Sequence, residues 1–224
     1  MKKRLIVVSA LIFILLFSMG TFAADVKWED GEYVGYKAND RGDLVILVEI
    51  ERGKIADLDI LNRFKLNYDY EEGKKAYLEY PHIVESKQTA DVDIISGATG
   101  SSNSYNKATQ MALDIASDNY EGNKYYGVAE NYEHGHVVVE ITVENEKIVD
   151  AKLITGDPES DTNMLMPPKT EDYGHKPAYK YFKNFPDEVV ENQGKVDIVS
   201  GATHSGHSYN EALEMAMEQA GLIN

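Results

Sequence analysis

The amino-acid sequence predicts an α+β protein of two tandem small domains, each an antiparallel hairpin or sheet with packed helices, after an N-terminal signal segment. Three observations predict it. A segment of 21 residues, Val92 to Ala112, returns as Val196 to Ala216 with 14 identities, 104 positions further on. Upstream of each copy, apolar and polar residues alternate with the period of two that a half-buried strand requires. Each copy then ends in apolar residues spaced along one face of a helix. Strands followed by helices in so short a unit favour α+β over a doubly wound sheet.

Taken in order, residues 1–24 begin with basic Lys2-Lys3-Arg4, run through apolar Leu5 to Phe17 and end in Thr21-Phe22-Ala23-Ala24. This is the order of a secretory signal, cut near Ala23 or Ala24. The competing reading is an uncleaved anchor, because Leu5 to Ala24 is long enough to span a bilayer of roughly 30 Å. Positive flanks stay inside, so both readings place residues 25–224 outside the cytoplasm.

In the first copy Leu44, Ile46, Val48 and Ile50 alternate, Glu51-Arg52-Gly53-Lys54 turns, and Ala56, Leu58 and Ile60 alternate with Asp57 and Asp59. In the second, Val137, Val139, Ile141 and Val143 are followed by a turn at Glu144-Asn145-Glu146-Lys147 and by Val149, Ala151 and Leu153. Each copy is therefore expected to open on a hairpin. The hairpins are 93 positions apart, so the second copy holds about 11 extra residues before its repeated segment. The Gly, Pro and Asp content of Thr155 to Lys169 places them there.

Glu71 to Ser86 and Pro177 to Asn192 have mixed apolar spacing and are expected to form short helices. The last element is clearer: Tyr105, Ala108, Ala112, Ile115 and Ala116, and likewise Tyr209, Ala212, Leu213, Ala216 and Ala220, line one face of a helix. Ser102 to Ser104 and Ser205 to Ser208, just before these stripes, are expected to supply N-cap oxygens. The domain junction is expected near Asp118 to Lys124, giving a first domain over 25–120 and a second over 121–224.

Composition narrows the function. The chain has 22 Lys+Arg against 38 Asp+Glu, a net charge of −16, and residues 25–224 alone hold 19 against 38. Such a surface repels phosphate backbones and anionic lipid, so no nucleic-acid partner is expected. There is no cysteine. Disulfides, thiolate metal sites, iron–sulfur clusters, cysteine nucleophiles and haem attachment through cysteine are thereby excluded.

Asp93-Ile-Ile-Ser96-Gly97-Ala98-Thr99 reads as a strand end entering a turn of very small residues, with a hydroxyl presented just ahead of a helix. Asp197-Ile-Val-Ser200-Gly201-Ala202-Thr203 repeats it. Glycine permits the turn, and backbone N–H groups at the helix start suit an anion, phosphate above all. A purely structural turn is the competing reading for a single copy; two matched copies weigh against it. No Gly-x-Ser-x-Gly elbow surrounds the hydroxyl, which disfavours a hydrolase, and no Walker or Gly-x-Gly-x-x-Gly loop is present.

The pattern Asp-x-x-Ser-Gly-Ala-Thr followed by Ser/Thr-rich sequence and a helix resembles the FMN-binding domain family. The resemblance implies that Thr99 and Thr203 each carry one FMN, esterified through the hydroxyl to its phosphate by a flavin transferase. It further implies sites formed by Asp93, Ser96, Gly97, Ala98 and Thr99 and by Asp197, Ser200, Gly201, Ala202 and Thr203. No separate catalytic residue is expected. The family includes flavin-carrying subunits of ion-pumping membrane oxidoreductases and secreted proteins of extracellular electron transfer.

The chain length leaves an electron carrier as the expected role rather than a stand-alone enzyme. It would connect a membrane redox donor to an extracellular or cell-surface acceptor, secreted or held at the membrane by its N-terminal segment. The alternatives are a subunit of an ion-pumping oxidoreductase and an unmodified surface binding protein. His134 with His136 and His204 with His207 lack the acidic partners of a metal site, so no metal is expected. His204 and His207 set imidazoles beside the second site only. The 15 tyrosines and Trp28 have faces that could stack on a flavin ring, but most are expected at core or edge positions and none is assigned as a cofactor contact.

Overall fold

The computed structural model of the protein describes residues 27–39, 42–61, 70–93, 95–131, 135–156 and 165–223. The expected signal segment, residues 157–164 of the expected insertion, and His134 lie outside them. No helix among the described residues is long and apolar enough to cross a membrane.

Strands β1 (Gly31–Lys37), β2 (Leu44–Glu51) and β3 (Lys54–Ile60) form one antiparallel meander; β4 (Lys124–Glu130), β5 (His136–Glu144) and β6 (Lys147–Ile154) form another. The expected hairpins are β2–β3 and β5–β6. Their two-residue loops, Arg52-Gly53 and Asn145-Glu146, have positive φ at both positions, the type I′ geometry whose twist matches the flanking strands. A register shift recurs at Glu49/Ile50 and Thr142/Val143, equivalent places in the two copies.

The edge strands β1 and β4 extend the expected hairpins to three-stranded sheets. Each is interrupted by a glycine, Gly35 or Gly127, which weakens the strand pattern but serves packing. A Cβ on Gly35 would lie 1.8 Å from the carbonyl oxygen of Ala108, and one on Gly127 would lie 1.9 Å from that of Ala212. Helices α2 (Thr99–Ala116) and α4 (Thr203–Gln219) cross the strands at these points.

The expected short helices are single 17-residue helices, α1 (Glu71–Lys87) and α3 (Lys176–Asn192), which continue through Pro81 and Pro186. Proline removes an N–H and clashes with the preceding turn. Buried stripes outweigh that cost here: Ala76, Tyr80 and Val84 in α1, and Ala178, Tyr181, Phe185 and Val189 in α3. Both helices end in left-handed glutamines. Gln88 accepts from Ile55 N and donates to Ile55 O, and Gln193 does the same at Ile148.

Helices α1 and α2 cover one face of the first sheet, burying Ile46, Val48, Ile50 and Leu58 against Tyr80, Tyr105 and Ala112. Helices α3 and α4 do the same in the second half around Val139, Ile141, Phe185 and Tyr209. The sheet faces turned away from the helices meet through Val34, Val45 and Leu61 on one side and Tyr126, Val128, Val138 and Leu165 on the other. Tyr36 stacks on Tyr126 with ring centroids 4.3 Å apart. Gln219 ties the halves by accepting from Val34 N at 3.0 Å and donating to Tyr126 O at 2.9 Å.

Glu140 lies buried in this interface, where the first sheet has Leu47. Lys124 reaches it at 2.7 Å, Lys152 at 3.5 Å, and the Tyr126 hydroxyl donates to it at 2.8 Å. Burial alone would raise its pKa, but the hydrogen bonds from Lys124 and Tyr126 and the two ammonium charges hold it below the usual carboxylate value.

Gly35→Ala and Gly127→Ala are expected to cost about 1–3 kcal/mol each through overpacking, read as a fall in the midpoint of urea unfolding; unchanged midpoints would refute the close crossing. Because the pKa of Glu140 is depressed in the fold, its contribution is present above the ordinary carboxylate pKa and lost as pH falls through the folded value. Glu140→Gln should therefore lower stability by about 1–3 kcal/mol at neutral pH and reduce the acid dependence of unfolding, checked by unfolding titrations between about pH 3 and 7.

Candidate functional site

Both Ser-Gly-Ala-Thr segments adopt one conformation. Ala98 N–H donates to Ile95 O at 2.9 Å and Ala202 N–H to Val199 O at 3.0 Å, closing four-residue turns. Gly97 and Gly201 occupy the third position with φ of 82° and 86°. A type II turn requires positive φ there, and glycine adopts it without steric cost. Space is tight as well: a Cβ on Gly97 would lie 2.6 Å from Glu72 Cγ, and one on Gly201 3.1 Å from Pro177.

Ala98 and Ala202 follow, buried in their respective cores. They fix where each helix begins. Thr99 and Thr203 are exposed and are the first helical residues, one step inside the helix rather than ahead of it as expected. Ser96 and Ser200 are exposed at the turn.

These helix starts lack the usual neutralising groups. The N-cap residues are Ala98 and Ala202, no side chain caps either helix, and neither first turn holds an acid. Helix α1 differs, with Glu71 and Glu72 in its first turn. The expected serine caps are corrected accordingly: Ser102 to Ser104 and Ser205 to Ser208 lie inside the helices, past the end they would cap. Ser102 Oγ accepts from Ile95 N at 3.2 Å, Ser104 donates to Asn39 at 3.0 Å, and Ser208 donates to His204 O at 3.2 Å. The first-turn N–H groups and the positive helix end are thus left unmatched by any acid or capping side chain of their own helix.

Two asparagines not singled out from the sequence hold the approach to each turn. Asn106 Nδ2 donates to Val92 O at 3.0 Å, while Asn210 accepts from Val196 N at 2.9 Å and donates to Val196 O at 2.8 Å. The signal available was Ser-Tyr-Asn, shared by both copies. The aspartates are not brought to the turns. Asp93 is 97% exposed and pairs with Lys87 at 3.2 Å, and Asp197 is exposed.

The surroundings of the two turns differ in charge. Glu72 lies against Gly97, whereas Gly201 meets Pro177 and His175. His175 caps α3 by accepting from Ala178 N at 3.4 Å, and His204 and His207 are exposed on α4. Among the described residues no cluster of three potential metal ligands occurs. Tyr80, Tyr105, Tyr181 and Tyr209 pack within the cores.

The residues fit FMN attached through its phosphate. An exposed threonine hydroxyl stands at an uncapped helix N-terminus, and the turn before it has no Cβ at its tightest point. This is the donor set a phosphate monoester needs.

The chain is similar to known proteins over both halves. The FMN-binding domain matches residues 41–114 and 133–218. An NADH:acrylate oxidoreductase from Vibrio harveyi is 31% identical over 96 residues, 43% of this chain but 9% of that protein. A crystal structure of a Clostridium perfringens protein covers 41% of this chain and 90% of its own at 25% identity, with a TM-score of 0.35. A solution structure of a Clostridium thermocellum protein covers 45% of this chain and 90% of its own at 16% identity, with a TM-score of 0.27. With most of its length matched in two successive ranges, each containing one Ser-Gly-Ala-Thr turn, the chain belongs to the FMN-binding domain family and carries that domain twice.

Proposed function

We propose that the protein is an extracytoplasmic electron carrier holding two FMN groups, one esterified through phosphate to Thr99 and one to Thr203. One observation carries this reading. Two helices in equivalent places start at an exposed threonine, behind a type II glycine turn, with no side-chain cap and no first-turn acid. An ordinary structural turn has no use for that arrangement twice, since a serine or aspartate at the N-cap would stabilise each helix by about 1 kcal/mol.

Bound FMN supplies reversible acceptance and release of electrons. The protein's part is to hold and position it. The threonine oxygen tethers the phosphate, the first-turn N–H groups offset its charge, and Asn106 and Asn210 keep the turn fixed against the helix. Tethering prevents loss of the cofactor by dilution outside the cell, and no cysteine is needed for it. The Vibrio harveyi relative, an oxidoreductase by name, supports an electron-transfer role for such a domain. A flavin transferase installs the groups, a membrane oxidoreductase reduces them, and an extracellular or cell-surface acceptor takes the electrons.

The exposed positions of Asp93 and Asp197 suggest recognition by the transferase rather than support of the turn. Protein produced together with a flavin transferase is expected to lose one covalent flavin on Thr99→Ala, one on Thr203→Ala and both in the double variant, read by intact mass. A double variant that keeps a covalent chromophore would refute the assignment and favour other attachment points. Asp93→Asn and Asp197→Asn should each reduce loading of their own site at least several-fold while circular dichroism stays native; full loading would show that these carboxylates play no part in attachment.

A further inference from the structure

One buried charge has no role in the turn itself. Lys169 comes from the longer connection of the second half, is 7% exposed, and places Nζ 2.9 Å from the Tyr209 hydroxyl and 3.1 Å from Met166 Sδ. The rings of Tyr173, Phe182 and Tyr209 surround it at 5.4–5.6 Å. Among the described residues no carboxylate pairs with it, and burial alone lowers its pKa to about 8. A buried ammonium without an anion is costly, by several kcal/mol. Such a group either gives up its proton more readily, as here, or is matched by an anion that comes to meet it.

A cavity of about 470 Å³ between β6 and α3 lies at this lysine. Leu153, Phe182 and Pro186 give it apolar walls, and Lys152 and Lys183 join Lys169 in its lining, Lys152 being already paired with Asp150 at 3.0 Å and Glu140 at 3.5 Å. A flat ring that is apolar when oxidised and anionic when reduced matches such a space. The connection also reaches the second turn directly: its far end sets His175 and Pro177 against Gly201. Tyr209, whose hydroxyl receives Lys169 and donates to Met166 Sδ at 3.3 Å, stands on α4 six residues beyond Thr203. Helical side chains lean toward the N-terminus, so Tyr209 carries the lysine toward the start of α4. The equivalent hydroxyl of the first half, Tyr105, is buried with no partner among the described residues.

We propose that Lys169 is the cationic partner of the reduced flavin carried on Thr203, and that the cavity it lines seats the ring. The proposal rests on attachment of FMN at Thr203. Reduction adds two electrons from the donor and one proton from solvent, leaving the ring singly negative. Lys169 keeps its proton throughout and contributes charge only. Because the ammonium favours the reduced ring, it raises the potential, and that contribution is lost as pH rises through the lysine pKa. Tyr173, Tyr179, Tyr209, Lys152 and Lys183 face the same space, and His175 lies at the far end of the connection.

The test uses Thr99→Ala protein loaded at Thr203, verified by intact mass, with potentiometry across about pH 6 to 10. Lys169→Met should shift the two-electron equilibrium about tenfold toward the oxidised flavin, about 30 mV, and remove the break in the potential near the lysine pKa. Lys169→Arg should keep most of the potential. In the Thr203→Ala background, Lys169→Met should leave the flavin on Thr99 unchanged. A fully loaded Lys169→Met protein with unaltered potential and pH slope would overturn the proposal, as would an equal shift at Thr99. Loss of loading with a native circular dichroism spectrum would also overturn it, by assigning the lysine to attachment. Absence of flavin mass on Thr203 in otherwise native protein would instead overturn the functional reading, and this proposal with it.

Discussion

The backbone at Gly97 and Gly201 is the constraint on which both sites depend. A positive φ at that position, which glycine adopts without strain, turns the chain sharply enough to start a helix on the next residue but one, and the side chains of Glu72 and Pro177 crowd the spot a Cβ would take. The alanine that follows is drawn into the core, so the helix has no capping side chain and the threonine faces outward. The uncapped helix start is thereby left open to an anion, the FMN phosphate in the proposed function. The rest of each domain keeps that helix start in place. Gly35 and Gly127 let the helix lie directly on the edge strand, and Asn106 and Asn210 hold the segment before the turn.

Duplication kept this framework and changed what surrounds it. The turns, the glycine crossings, the left-handed glutamine caps and the register shifts occupy equivalent places in both halves. Around them the charges diverge: glutamates at the start of α1 stand where histidine, lysine and proline stand at the start of α3. Glu140 stands in the interface where the first half has Leu47. In the proposed function, two equal cofactors in these unequal fields would differ in potential and give the repeated carrier a direction. The halves also pack sheet against sheet through Tyr36, Tyr126 and Gln219, so their relative placement is built into the fold.

The repeated segment, the hairpins and the last helix of each half were legible in the sequence because each is a strong local pattern. The threonine turns were legible because the same small residues occur twice. What was not legible depends on contacts between distant segments. Pro81 and Pro186 argue locally for breaks, yet the stripes through Tyr80 and Phe185 bury enough apolar surface to carry α1 and α3 past them. Gly35 and Gly127 weaken the strand pattern of β1 and β4, and their purpose shows only where the helix crosses them. Serines close to a helix start looked like caps, but two buried alanines set the start three residues or more earlier. Lys169 carried no signal at all, since its meaning lies in being buried without a carboxylate.

The central claim is that the hydroxyls of Thr99 and Thr203 are points of covalent attachment. Tandem mass spectrometry of peptides from protein produced with a flavin transferase tests it most directly. The expected result is an FMN-phosphoester adduct fragmenting to Thr99 in one peptide and to Thr203 in another, with Ser96, Ser200 and the helix serines unmodified. Peptides spanning both turns that carry no adduct, or adducts located on other residues, would contradict it.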